Sequence, residues 1–155
     1  MTLISIGIFI LASVLIGLLV PKERIIRFLP FGLWAGLGLG LIMLYIMVVL
    51  LGTWQFAPGS LVIAGMPLGL ALIWVPLEIG YAHFFPRSNS LWVFAGYIVA
   101  LPLLAGIFHA VALMFGYLQY NNWSVTSTVL VSVLIHGFLA YYLYKYQYNH
   151  SLNSL

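Results

Sequence analysis

Residues 1–27 read MTLISIGIFILASVLIGLLVPKERIIR. From Thr2 to Val20 there is no charged group, and the first cations, Lys22, Arg24 and Arg27, come after the apolar run. A secretory signal peptide places its positive charge before the apolar stretch and ends in a small-residue cleavage site. Here that order is reversed. The segment therefore reads as a retained first helix, long enough to cross a hydrocarbon core of about 30 Å.

The rest of the chain repeats the pattern. Of 155 residues, 65% are hydrophobic and 5% charged, with a mean hydropathy of +1.17. A soluble domain carries roughly 25% charged residues, because its surface must be wetted. Long apolar runs broken by short polar joints predict an all-α, polytopic membrane protein: a single integral domain over 1–155 built as a bundle of five transmembrane helices. The spans are expected over about 2–20, 30–51, 60–86, 91–118 and 122–145, the third with a break near Gly65, Met66 and Pro67. The tail YQYNHSLNSL is expected to be a frayed polar end.

Charge gives the orientation. Lys22, Arg24 and Arg27 separate helices 1 and 2, Arg87 separates helices 3 and 4, and Lys145 closes helix 5. With five spans these all fall on one side, while the joints at 52–59 and 119–122 carry no charge. The positive-inside rule then predicts an N-outside, C-inside topology. The net charge of +3 comes from too few cations for a phosphate-binding face, so nucleic acid is not an expected partner. The absence of cysteine excludes disulfides, thiolate metal sites and cysteine nucleophiles.

Two kinds of feature stand out within the spans. Gly32, Gly36 and Gly40 lie four apart in GLWAGLGLG, a helix-packing stripe that lets another backbone approach closely, within the chain or between chains. The second is a set of polar groups at membrane depth. Helix 3 has Trp74, Glu78 and Tyr81 on one face. Helix 4 has His109 among Pro102, Ala105, Gly106, Ala112 and Gly116, and helix 5 has Ser124, Thr128, Ser132 and His136 at intervals of four. Trp74, Glu78, Tyr81, His109, Ser132 and His136 are the candidate ligand-binding residues, expected to line a groove of helices 3–5. An ionisable group at that depth costs several kcal/mol unless paired or neutral, which makes Glu78 a functional candidate. Counted from the cytoplasmic ends at 1.5 Å per residue, Glu78 and His136 lie about 10 and 13 Å deep and His109 about 25 Å deep. The histidines are therefore poorly placed to share a haem iron, and no metal or cofactor is expected.

The joints carry a resemblance. The cationic joint after helix 1, LGTWQF, HFFPRSNS and YNNWSVTS resemble those of a group of small five-span membrane proteins of Firmicutes, which implies a bacterial cytoplasmic membrane and no particular activity. GTWQFAPG, Gly65 and the PLE of residues 76–78 also look similar to elements of the membrane-type lycopene cyclase domain. In that family the glutamate is doubled and the acids are implicated in protonating a polyene. Here Ile79 stands where the second acid would be. What that resemblance leaves open for this chain is binding of a long apolar ligand.

The expected function is that of a non-enzymatic membrane protein binding a lipid- or isoprenoid-like small molecule, or a partner subunit or second copy, through helices 3–5. Two alternatives stay open. One is a small membrane enzyme acting on an isoprenoid or lipid, with Glu78 as general acid and His136 as its partner. The other is an oligomeric transporter or proton-coupled channel.

Overall fold

The computed structural model describes residues 2–58, 62–86 and 90–152, with side chains of the last helix described as far as Tyr146. Arg87 lies outside the described residues, as do the side chains of Asn149 and His150. The chain is mostly helical. Its helices are α1 (Thr2–Leu19), α2 (Lys22–Leu50), α3 (Leu68–His83), α4 (Leu91–Met114) and α5 (Val125–Leu152). Short strands fill the joints: β1 (Trp54–Phe56), β2 (Val62–Ile63), β3 (Met66–Pro67) and β4 (Leu118–Tyr120). Among the described residues, α2, α4 and the Val125–Tyr146 part of α5 are long and apolar enough to cross a membrane, whereas Ile4–Leu19 and Leu68–His83 are shorter apolar helices.

The chain forms two compact units, Met1–Phe84 with Val111–Trp123 and Phe85–Ala110 with Ser124–Leu155. In the first, α3 packs between α1 and α2 at main-chain distance. A Cβ placed on Gly36 would lie 2.7 Å from the backbone of Trp74 and Val75, and one on Gly32 would lie 2.7 Å from the Ile79 side chain. At Gly40 the neighbour is Ala71, at 3.4 Å. The glycine stripe of α2 is thus an intrachain seam against α3. On another side, Gly69 of α3 receives Ser5 and Gly80 receives Ile16, at 3.0 and 2.7 Å from a built Cβ. The seam coincides with wide π-helical turns over Gly32–Gly38, where the N–H of Leu39 reaches back to the carbonyl of Trp34.

Several helix ends differ from the sequence expectation, each for a local reason. The second helix begins at Lys22 and runs through Pro30 instead of starting after it. Proline's fixed φ suits a helix, so Pro30 forfeits one backbone bond without ending the helix. The third helix begins at Leu68 instead of near 60. Val62–Ile63 and Met66–Pro67 pair as a hairpin around Ala64 and Gly65, whose φ values of 51° and 79° form the left-handed pair of a tight turn. The fourth stops at Met114, where Gly116 takes φ 68° and the N–H groups of Gly116 and Tyr117 bond back to the carbonyls of Leu113 and Ala112, a Schellman cap. The fifth begins after Ser124, whose Oγ accepts the Ser127 N–H at 3.0 Å as an N-cap. It continues to Leu152, so the tail expected to fray is helical up to that point.

In the second unit, α4 and α5 meet at Gly106, where a Cβ would lie 2.6 Å from Val129. The inward side of α5 is Thr128, His136, Leu139, Ala140 and Leu143, all buried.

The seam makes a paired prediction. Gly36→Ala should destabilise the chain by about 1–3 kcal/mol through overpacking against the α3 backbone. Gly38→Ala, where a Cβ would meet only the Leu33 carbonyl at 3.6 Å, should be neutral or stabilising, since alanine favours a helix. Thermal melting of the two variants in detergent measures the difference, and equal melting temperatures would rule out the seam.

Candidate functional site

On α3, successive side chains turn by about 100°. Ala71, Val75 and Ile79 lie along the line that meets the α2 glycines, and Gly69 and Gly80 meet α1. Trp74, Glu78 and Tyr81 form a third face, about 100° round the helix from the α2 line and further still from α1. Glu78 and Tyr81 are buried there, with 2% and 5% of their surface exposed, and Trp74 is half-buried. The local sequence explains how α3 presents such a face. Its packed sides are glycine, alanine and short aliphatics, so the large and polar groups of LGLALIWVPLEIGYAH are confined to what remains.

His109, Ser132 and His136 belong to the second unit. The six sequence candidates therefore divide three and three, and each set is described within its own unit. His109 shares the small-residue face of α4 with Pro102, Ala105 and Gly106 and is half-buried. Taking the Gly106–Val129 contact as the crossing point, His109 lies about 5 Å beyond it along α4 and His136 about 10 Å beyond it along α5. The two imidazoles leave the crossing on different helices. Among the described residues, no three His, Cys, Asp or Glu side chains gather as a metal site.

Ser132 and His136 do come together. The Nδ1 of His136 lies 2.8 Å from the Ser132 carbonyl and 3.3 Å from its hydroxyl. A carbonyl only accepts, so Nδ1 carries the hydrogen in the shorter bond. In the neutral ring Nε2 is then the acceptor nitrogen. The spacing of four on a helix makes this bond, because the side chain of residue i points back over the turn that ends at i−4. One turn earlier, the Thr128 hydroxyl donates to the Ser124 carbonyl at 3.2 Å. The hydroxyl stripe expected along α5 thus ties side chains back to their own helix.

Sequence reasoning missed a direct link between the two uncharged joints. β1 and β4 pair antiparallel, with Trp54 opposite Tyr120 and Phe56 opposite Leu118. The Ala57 N–H donates to the Tyr117 carbonyl at 3.0 Å and the Asn121 N–H to the Thr53 carbonyl at 2.9 Å, extending the ladder at both ends. Each stretch is only three residues of mixed polar and aromatic character, too short for a period-2 signal to register.

No protein-family model, curated protein or solved structure matches the chain.

The His136 geometry is testable. With ¹⁵N-labelled histidine, NMR of the protein in micelles should show neutral His136 as the Nδ1–H tautomer, with a nonprotonated Nε2 resonance. Ser132→Ala, which keeps the carbonyl, should leave that tautomer in place. A dominant Nε2–H form would mean that the carbonyl bond is not made.

Proposed function

We propose that the chain is a five-span bacterial inner-membrane protein, N-outside and C-inside, that binds a lipid- or isoprenoid-like ligand against the Trp74–Glu78–Tyr81 face of α3, without catalysing a reaction. The observation that carries the proposal is Glu78 itself. It is a carboxyl group 2% exposed on a helix whose only other ionisable side chains are Tyr81 and the terminal His83. An aromatic ring lies one turn to either side of it on the same face. A largely apolar wall with one convergent polar group is the usual make-up of a small-molecule site. A ligand with a long apolar body and one hydrogen-bonding end matches it.

Two features support the membrane placement. The outward surfaces of α1, α2, α4 and α5 are densely apolar, with Leu18, Ile42, Leu91, Trp92, Met114 and Leu134 all well exposed. Soluble monomers rarely leave contiguous apolar surface of that kind in water. The β1–β4 ladder also joins the stretch after α2 to the stretch after α4. Those two stretches share one side of a bilayer when α3 and α4 each cross it once, and they are the ones that carry no charge.

Single cysteines test the orientation without background, since the chain has none. In intact cells, Gln119→Cys should react with an impermeant thiol reagent and Ser90→Cys should react only after permeabilisation. The reverse pattern would invert the topology. For the site, Glu78→Leu should lose a copurifying apolar ligand, measured by mass spectrometry of protein released from detergent. Glu78→Gln, which keeps hydrogen bonding and removes titration, should retain it. Undiminished ligand in the leucine variant would eliminate the α3 face as the site.

A further inference from the structure

Among the described residues, the charged start of α2 has no ion-pair partner. Lys22, Glu23, Arg24 and Arg27 occupy its first turns, with Lys22, Glu23 and Arg27 exposed and Arg24 half-buried. Among the described residues none of the three cations is ion-paired; the Arg27 guanidinium lies 5.9 Å from the Phe28 ring centroid. Phe28 and Phe31 are buried and anchor the segment to the body of the first unit.

Length decides where these cations sit. With its wide turns at Gly32–Gly38 and Tyr45–Leu50, the 29 residues of Lys22–Leu50 make a helix roughly 40 Å long, against a hydrocarbon core of about 30 Å. Absorbing the whole excess by tilt would need about 40°, the extreme of the usual range and about twice its average. It would also draw three unpaired cations into hydrocarbon, at a cost of several kcal/mol. The excess of about 10 Å, some six residues, therefore projects from one end. The polar end is the Lys22–Arg27 segment, since 28–50 is uncharged. That places Lys22, Arg24 and Arg27 in the phosphate layer on a rigid helical arm.

We infer that the Lys22–Arg27 arm is a docking surface for the headgroups of anionic phospholipids. It rests on the membrane placement proposed above but involves neither Glu78 nor its ligand. Charge complementarity is the warrant: three cations against one acid, fixed on a helix at phosphate depth. Cations near an anionic leaflet each contribute about 1 kcal/mol, equivalent to a fivefold gain in affinity.

Native mass spectrometry of the full chain in detergent, titrated with dioleoylphosphatidylglycerol or dioleoylphosphatidylcholine, reads the preference directly. The parent should retain the anionic lipid preferentially. The triple variant Lys22→Gln, Arg24→Gln, Arg27→Gln should lose that preference by about fivefold per cation removed. Glutamine matches lysine and arginine in helix propensity, so the fold should stand, and an unchanged melting temperature checks this. The charge-preserving set Lys22→Arg, Arg24→Lys, Arg27→Lys should keep the preference. Equal retention of the two lipids by the parent, or an undiminished preference in the glutamine variant, would overturn the inference. So would displacement of the anionic lipid by equimolar glycerol 3-phosphate, which would make the ligand a free phosphate ester. Carbonate-resistant membrane association with no headgroup preference would overturn this inference alone and leave the membrane placement standing.

Discussion

Gly36 against the backbone of Trp74 and Val75 is the contact on which the first unit depends. In a bilayer, two apolar helices gain nothing by leaving water, because lipid chains are as apolar as leucine. Association then rests on how closely main chains can approach and on the dispersion contacts that approach permits. Along this seam α2 offers Gly32, Gly36 and Gly40, and α3 answers with Ala71 and its own backbone. Gly69 and Gly80 repeat the device toward α1. A helix gripped on two sides in this way cannot rotate. A turn of one residue, about 100°, would drive Trp74 or Glu78 into space that holds only a glycine hydrogen. The direction of the Glu78 face is therefore a consequence of the glycines, not an independent feature.

The same unit shows how non-helical backbone is accommodated. With 16 residues, α3 is about 24 Å long, shorter than a hydrocarbon core. In the proposed membrane placement, peptide groups left unpaired at that depth would each cost several kcal/mol. The stretch before α3 meets this by pairing with itself as the β2–β3 hairpin, and the stretch after α2 by pairing with β4. The Thr53 hydroxyl adds a bond to the Met47 carbonyl at 3.1 Å, where α2 ends in wide turns and has carbonyls to satisfy. Short helix and paired joints are one solution to the same constraint.

How much of this was legible in the sequence varied with the kind of signal. Helix number and type follow from composition and run length, which accumulate over twenty residues and survive local exceptions. Boundaries depend on single residues whose effect is set by context. Pro30 looks like a start signal, yet it lies inside a helix because Pro21 and Glu23 already open one upstream. Gly65, Met66 and Pro67 were visible as a break, but the left-handed φ of Ala64 was not, since alanine rarely adopts it. The glycine stripe could be read as a packing face, whereas its partner, α3, is set by the tertiary fold. For the candidate site, the shared face of Trp74, Glu78 and Tyr81 follows from spacing alone. The Ser132–His136 bond follows from spacing of four once both are on one helix. The β1–β4 ladder pairs residues more than sixty positions apart, and nothing local encodes that register.

Geometry also bears on the simplest structural role for Glu78. Pro76 has no N–H, so the carbonyl four residues earlier, that of Leu72, loses its helical donor. A nearby side chain that tied down this carbonyl would need no ligand to explain it. Glu78, however, is six residues beyond Leu72, about 9 Å further along the axis and about 120° round the helix. Leu72 is 40% exposed, on a side of α3 away from the buried carboxyl. Side chains do lean toward the N-terminus of their helix, but by about one turn, which from Glu78 reaches Trp74 and not Leu72. Repair of the proline gap therefore does not account for the carboxyl. The seams do not account for it either, because both are made by other faces of α3. The carboxyl lies instead on the face that Glu78 shares with Trp74 and Tyr81, where the burial of Glu78 and Tyr81 means that the protein itself covers the face.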